Sequence, residues 1–357
     1  MKTMIKGASM FASAGVAETY FKEAGIDIVV ANELIDKRGK FYQEIYPNSK
    51  MIVGDIKNEN VKKSFLDNID DDVKFLIATP PCQGVSTLGI NKKMNQMMDD
   101  PRNYLIYDVM DVIDKKDFDY IMIENVPRFL DVFFPYKNEY KKLEYILRDK
   151  YSEKYNIDIK VLNAKDYGVP QTRPRAIIKL YKKNLKWGWP KKQPEITLKQ
   201  AIGNLPSLES GEKSNLKYHY AKIHNDREIL AMKHTPTGCS AMKNEIFYPK
   251  KEDGSRIKGF HNTYKRMSWD APAPARTMNN GNIGSHNNVH PGHLLPDGTY
   301  SDARVLTMRE LFIVSSLPEE WNIPKDSTDN FVRQIIGEAI PPKLSYNIVK
   351  EIGKDGE

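Results

Sequence analysis

The first 180 residues alternate short apolar runs with amphipathic stretches. Met4–Met10, Ile26–Ala31, Lys50–Val53, Val73–Ala78 and Tyr120–Glu124 are apolar runs of four to seven residues bounded by turn formers, the pattern of buried strands. Between them, Gly15–Ala24, Arg38–Tyr46 and Tyr104–Asp114 read as helices, the last with Leu105, Val109, Val112 and Ile113 on one face. Strands alternating with helices predict an α/β fold with a mostly parallel sheet, whose ligands gather beyond the carboxyl ends of the strands. After Leu180 the periodicity fails. Lys182–Pro194 carries two tryptophans, two prolines and five lysines and reads as a linker, and the chain from there to about Arg276 is rich in Gly, Pro, Asn, Lys and His. Regular spacing returns in Val305–Leu317 and, behind Pro341-Pro342, in Lys343–Ile352, both expected as helices.

The composition of the 357 residues, 40% hydrophobic and 28% charged, is that of a globular protein, and no apolar run is long enough for a membrane span. No secretory signal is recognised, and two cysteines, Cys82 and Cys239, are too few for a disulfide framework, which implies a reducing, cytoplasmic setting. The net charge of +7 is unevenly spread: residues 181–300 hold 19 Lys+Arg against 10 Asp+Glu, a net +9, leaving −2 for the rest. All seven histidines lie in that segment. Such a distribution suits either contact with phosphates or a lysine-rich solvated surface.

Polar residues recur just past the expected strand ends. Phe11-Ala12-Ser13-Ala14-Gly15 follows the first strand, where small residues let backbone amides approach a ligand; Asn32-Glu33 and Gly54-Asp55 end the second and third. Three such features at successive strand ends suggest a nucleoside-type cofactor. Pro80-Pro81-Cys82-Gln83 leaves the fourth strand, a stiff turn that would hold a sulfur outward, and Glu124-Asn125-Val126 leaves the fifth. In Gln171-Thr172-Arg173-Pro174-Arg175, alternation would put both arginines on one face of an entering strand.

TPPCQG, ENV and QTRPR in that order resemble the DNA cytosine-5 methyltransferases, of prokaryotic or phage type. MFASAG, Asn32-Glu33, Gly54-Asp55 and Asp100-Pro-Arg-Asn-Tyr-Leu105 are similar to the family's S-adenosyl-L-methionine (AdoMet) motifs. Arg304-Val-Leu-Thr-Met-Arg-Glu310 and Gln334-Ile-Ile-Gly-Glu-Ala-Ile-Pro-Pro342 resemble its last two. Ser13 and Val16 stand where the family favours glycine, Leu34 where a bulkier residue is frequent, and Glu338 where Asn is commoner. The resemblance implies a Rossmann-like AdoMet-dependent methyltransferase fold: a catalytic domain 1–185 completed by 318–357, a target-recognition domain 186–300, and a linking helix 301–317. It implies Cys82 as the nucleophile on C6 of a flipped cytosine, with Glu124 and Arg175 on the base and Arg173 in support. AdoMet contacts would come from Phe11, Ala12, Ala14, Gly15, Glu33, Leu34, Asp55, Ile56, Pro80, Leu105 and Glu338. DNA contacts are expected from Gln83, Ser86, Lys243, Arg256, Lys258 and Arg266. The implied setting is a monomer acting on double-stranded DNA in the cytoplasm, associated with the nucleoid, as the modification enzyme of a restriction-modification system or as a solitary or phage enzyme. A cognate endonuclease encoded nearby would make no direct contact.

No metal is expected: His286, His290 and His293 have metal-like spacing but no cysteine or carboxylate close in sequence, and are read as loop or DNA-facing histidines, with Cys239 a bystander. Two other readings stay open, an RNA cytosine-5 methyltransferase and a catalytically silent DNA-binding relative. Residues 83–100, with two glycines and adjacent lysines, are expected to close over the base. Trypsin cleavage at Lys92 and Lys93 should therefore slow when target duplex and cofactor product are added together; an unchanged rate would refute closure.

Overall fold

The five apolar runs become strands, and two more join them. The computed structural model describes residues 4–81 and 104–354. The expected lid, with Cys82, Gln83 and Ser86, lies outside the described residues, as does Asp100-Pro-Arg-Asn103. Two compact units emerge, one of residues 1–163, 174–191 and 344–357, the other of 164–173 and 192–343. Residues 318–343 thus pack within the second unit. Among the described residues no helix is long and apolar enough to cross a membrane.

In chain order the first unit contains β1 (Ile5–Met10), β2 (Ile26–Glu33), α1 (Asp36–Ile45), β3 (Lys50–Val53), α2 (Glu59–Asp67) and β4 (Val73–Ala78). It continues with α3 (Ile106–Lys115), β5 (Tyr120–Asn125), a hairpin of β6 (Phe133–Tyr136) and β7 (Glu139–Lys142), α4 (Leu143–Tyr151), β8 (Tyr155–Asn163) and β9 (Pro174–Lys182). The sheet order is β3-β2-β1-β4-β5-β9-β8. The first five strands are parallel, whereas β9 runs antiparallel to both β5 and β8. Every residue of β5 and the last four of β1 and β4 are buried, as a sheet covered on both faces requires. Chain order reverses between β1 and β4, the switch point where such sheets bind ligands.

Three expectations change locally. Gly15–Ala24 is not a helix but a three-residue 3-10 turn, Val16–Glu18, followed by turns. Val16, Glu18 and Phe21 all turn inward, and one helical face cannot supply that spacing. Lys182–Pro194 is no free linker in its first half. Trp187 is buried and donates to Ile348 O at 2.9 Å, and the Lys179 ammonium donates to the carbonyls of Trp187 and Gly188 and sits 3.8 Å from the Trp189 ring. The helix expected over Val305–Leu317 is shorter, Met308–Val314, because Thr307 and Glu310 form a capping box that fixes its start.

The second unit is mostly loop, with a small core of Met232, Tyr264, Ile283, Val289, Ala303 and Val305. Loops bury carbonyls that no sheet satisfies, and here arginines satisfy them. Arg266, expected to contact DNA, is instead fully buried: its guanidinium donates to the carbonyls of Met232, His290, Asp302 and Tyr300. Arg276 and Arg333 serve Asn287 O and Leu306 O at 2.9 Å each. Gly337, inside the last family-like motif, would meet Thr277 O at 2.1 Å if it carried a Cβ. Arg304 bonds both Asp302 and Glu310, at 2.7 and 2.8 Å, with no exposure. His290 lies within 3.8 Å of both carboxylates; burial pushes it down to about 4, so it is a neutral core residue rather than a loop or DNA-facing one.

Glu310 is held down to about 2 and Asp302 lower still, against their own burial, by the charge of Arg304 and, once it protonates below about pH 4, that of His290. Their stabilisation is complete above the unfolded carboxylate range and is lost as pH falls through the folded values. Urea unfolding should therefore weaken progressively from about pH 4.5 towards pH 2. Arg304→Met, which strands two buried carboxylates, should cost about 3–5 kcal/mol at pH 7 by the same assay.

Candidate active site

At the carboxyl end of β1 the chain turns through Phe11 and Ser13 with φ of 59° and 49°, then Gly15 at 71°. The turn is pinned from β2: the Ala12 amide donates to Asn32 O at 2.9 Å and the Ser13 amide to Glu33 Oε2 at 2.9 Å. The other Glu33 oxygen accepts from the Ile35 amide at 2.9 Å, which leaves this buried carboxylate a second lone pair on each oxygen. Ser13 Oγ is buried without a hydrogen-bond partner among the described residues. Gly15 is required by packing, since a Cβ there would sit 2.3 Å from the Tyr46 ring. Tyr46 in turn donates to Gly15 O at 2.7 Å.

Beyond β2 and β3, Leu34 and Asp55 are exposed while Ile56 is buried, and Asp55 Oδ1 accepts from the Lys57 amide at 3.0 Å. Asn32 Nδ2 ties the two strand ends together by donating to Ile52 O and Gly54 O at 2.9 and 3.1 Å. Ala14, Ile56 and Leu105, expected against the cofactor, are buried, the last two within the hydrophobic core. Glu338 ends the helix Asp329–Glu338 in the second unit and is half-buried.

The approach to Cys82 is fixed as far as it is described. Thr79 donates from its amide to Met10 O at 3.2 Å and from Oγ1 to Phe11 O at 3.0 Å. Asn125 Nδ2 donates to Pro80 O at 3.0 Å, and its Oδ1 accepts from the Val126 amide at 2.8 Å. Pro80 and Pro81 are thereby held at the end of β4, with β5 as the brace.

Glu124 lies at the carboxyl end of β5. Because β9 is reversed, its first residues meet that same end: Ala176 pairs with Asn125 and Ile177 with Glu124. Arg175 Nε then reaches Glu124 Oε1 at 2.7 Å, the two side chains only 11% and 10% exposed. Burial lowers the Arg175 value and the Glu124 charge counters it, so both ions stay paired. Arg173 does not share this face. It is buried in the second unit and donates to Arg276 O and Gly337 O at 2.7 and 2.8 Å.

Lys243, Arg256 and Lys258 are exposed in the second unit, with Arg256 stacked 4.1 Å over Tyr248. Sequence reasoning passed over Thr79 and Asn125, although Asn125 sits inside the quoted ENV. It also passed over Glu18, which lies beneath the first turn: Oε1 accepts from Ser9 Oγ at 2.5 Å and Oε2 from Tyr42 OH at 2.6 Å. Nothing in the local sequence marks it, because Ser9 and Tyr42 meet it only in the fold.

The model of the C-5 cytosine-specific DNA methylase family matches residues 5–354. The chain is 49% identical over 353 residues to the type II methyltransferase M1.HgaI of Avibacterium volantium, covering 99% of each. It is 30% identical over 360 residues to the type II methyltransferase M.MthTI of Methanothermobacter thermautotrophicus, covering 98% of this chain and 97% of that one. Its fold is similar to that of the methyltransferase EhMeth of Entamoeba histolytica, with a TM-score of 0.65 over 98% of both chains at 14% identity.

Burial raises the Glu18 carboxyl to about 7. A raised carboxyl stabilises the fold below its unfolded value near 4.5, and that contribution is lost as pH rises through about 7. The stability of Glu18→Gln relative to wild type should therefore climb between about pH 5 and pH 7 and level off, by about 3 kcal/mol in urea unfolding. A difference that stays flat across that range would refute the shift.

Proposed function

From the premise that the chain belongs to the C-5 cytosine-specific DNA methylase family, we propose that it methylates one cytosine context in duplex DNA through a covalent bond between Cys82 and C6 of a base turned out of the helix. The Glu124–Arg175 pair is the observation that carries this reading. Cytosine C5 is a weak nucleophile. Addition of the Cys82 thiolate to C6 breaks the C5=C6 double bond and moves an electron pair towards C5 and the N3/O2 side of the ring. Glu124, protonated from solvent as the base seats, donates to N3 and accepts from the exocyclic amine, and Arg175 donates to O2, so both act where charge develops. Their mutual ion pair holds them in place before the base arrives, and donors fixed in advance cost little reorganisation. C5 then accepts a methyl group and loses its proton to a base; the C–H electrons re-form C5=C6 as the C6–S bond breaks and the thiolate leaves.

AdoMet supplies the methyl group as an electrophile on a sulfonium centre. The turn at residues 11–15 suits it, with the unpartnered Ser13 Oγ and the remaining lone pairs of Glu33 as polar contacts, and Leu34 and Asp55 lie at the neighbouring strand ends. Thr79 and Asn125 position the turn that leads to Cys82. Turning the base out costs a few kcal/mol of unstacking, which phosphate contacts of the basic second unit offset. The names of the relatives, both type II methyltransferases, support a modification role in a type II system.

A duplex library containing 5-fluorocytosine, whose C5 cannot lose a proton, should trap an adduct mapping to residue 82, and Cys82→Ser should give none. Absence of any adduct with wild type would overturn the covalent route. Glu124→Gln should lower kcat by about 10²–10⁴-fold with the fold intact by circular dichroism.

A further inference from the structure

In the second unit a cavity of about 320 Å³ opens between the segments 234–244 and 261–265. Several of its polar groups are spent on the fold. Thr235 Oγ1 donates to Ala231 O and Ser240 Oγ to Thr263 O, both at 2.7 Å, and the Asn244 amide group bonds His234 O and the amides of Ile246 and Phe247. What remains is basic: the ammonium groups of Lys243 and Lys265 and the rings of His234 and His261, with no carboxylate in the lining. Among the described residues neither ammonium has a hydrogen-bond or ion-pair partner. Lys62, Lys154 and Lys182 in the first unit, by contrast, each hold a carboxylate at 3.0 Å or less.

The wall is braced. The His234 ring lies flat on Phe247 at 3.5 Å, and Arg256, stacked on Tyr248, donates to Met242 O and Asn244 O at 3.2 and 2.7 Å, on either side of Lys243. Two lysines facing one cavity without a counter-charge repel each other, and a ligand rich in acceptors relieves that. Lysine can only donate. Adenine and cytosine present an amino donor in the major groove and thymine a single acceptor beside a methyl, whereas guanine offers O6 and N7 together and a phosphate offers only acceptors.

We infer that this cavity takes an acceptor-only group of DNA, either the O6/N7 edge of a guanine or a backbone phosphate, held by Lys243 and Lys265. The inference rests on the reading of the enzyme as a duplex methyltransferase and names where its second unit grips the target. Cys239, exposed in the lining, serves as a reporter.

The test first maps wild-type sites on a randomised duplex library by bisulfite sequencing. The duplex carrying the mapped site is then used with wild type, Lys243→Ala, Lys265→Ala and, as a control for loss of one exposed charge elsewhere in the unit, Lys199→Ala. Saturating duplex should slow N-ethylmaleimide labelling of Cys239 at least ~5-fold by peptide mass mapping. Each cavity variant should bind ~10-fold more weakly than Lys199→Ala with unchanged melting. A guanine edge predicts relaxed specificity at one G and an equal loss for wild type on 7-deazaguanine at that position. A phosphate predicts the same target, uniform weakening and a salt slope smaller by about 1. Active wild type with Cys239 labelled at the same rate, and with both variants binding like Lys199→Ala, overturns the cavity assignment alone. A wild type that methylates no duplex overturns the reading it rests on.

Discussion

A single reversed strand brings an arginine and a glutamate together at the carboxyl end of the sheet. Five strands run parallel, so their carboxyl ends, and the polar residues that follow them, converge on one edge. An arginine near the start of a sixth parallel strand would lie at the opposite edge. Because β9 runs antiparallel to β5, Arg175 begins where Glu124 ends, and a 2.7 Å ion pair forms in a site nearly closed to water. Breaking such a pair leaves a buried charge uncompensated, so each residue depends on the other and both depend on the strand direction.

The same side chain does different work in the two units. In the first, Arg175 keeps a charged partner, Glu124. In the second, Arg173, Arg266, Arg276, Arg304 and Arg333 are inward staples, donating to carbonyls that a loop-rich core would otherwise bury unpaired. A planar group with five donors in a rigid fork can satisfy more carbonyls at once than the three-donor lysine. Basic residues that reach the surface there are chiefly lysines, left without carboxylate partners around the cavity beside Cys239. Net charge alone cannot separate these uses.

The turn after β1 shows how a strained segment is held. Its positive φ values cost energy, and they persist because β2 supplies an acceptor for the Ala12 and Ser13 amides while Tyr46 fixes Gly15. Beneath it, Glu18 bridges Ser9 on β1 and Tyr42 on α1, so a titratable group couples the turn to the helix beside it.

Local pattern determined much here. Short apolar runs set five strands to within two residues, because a strand buried on both faces is filled mainly by apolar side chains, and short ordered motifs carried the family because their spacing maps onto successive strand ends. Arg173 and Arg175 show what pattern could not decide: two residues apart, one serves the carbonyls of Arg276 and Gly337 and the other serves Glu124. Arg266 and His290 likewise look like surface residues in a basic, loop-rich segment, yet lie at 0% and 4% exposure. Their partners are tens of residues away in the chain, so only the tertiary structure, by bringing distant carbonyls and carboxylates within hydrogen-bonding reach, decides whether a charge faces solvent, substrate or core.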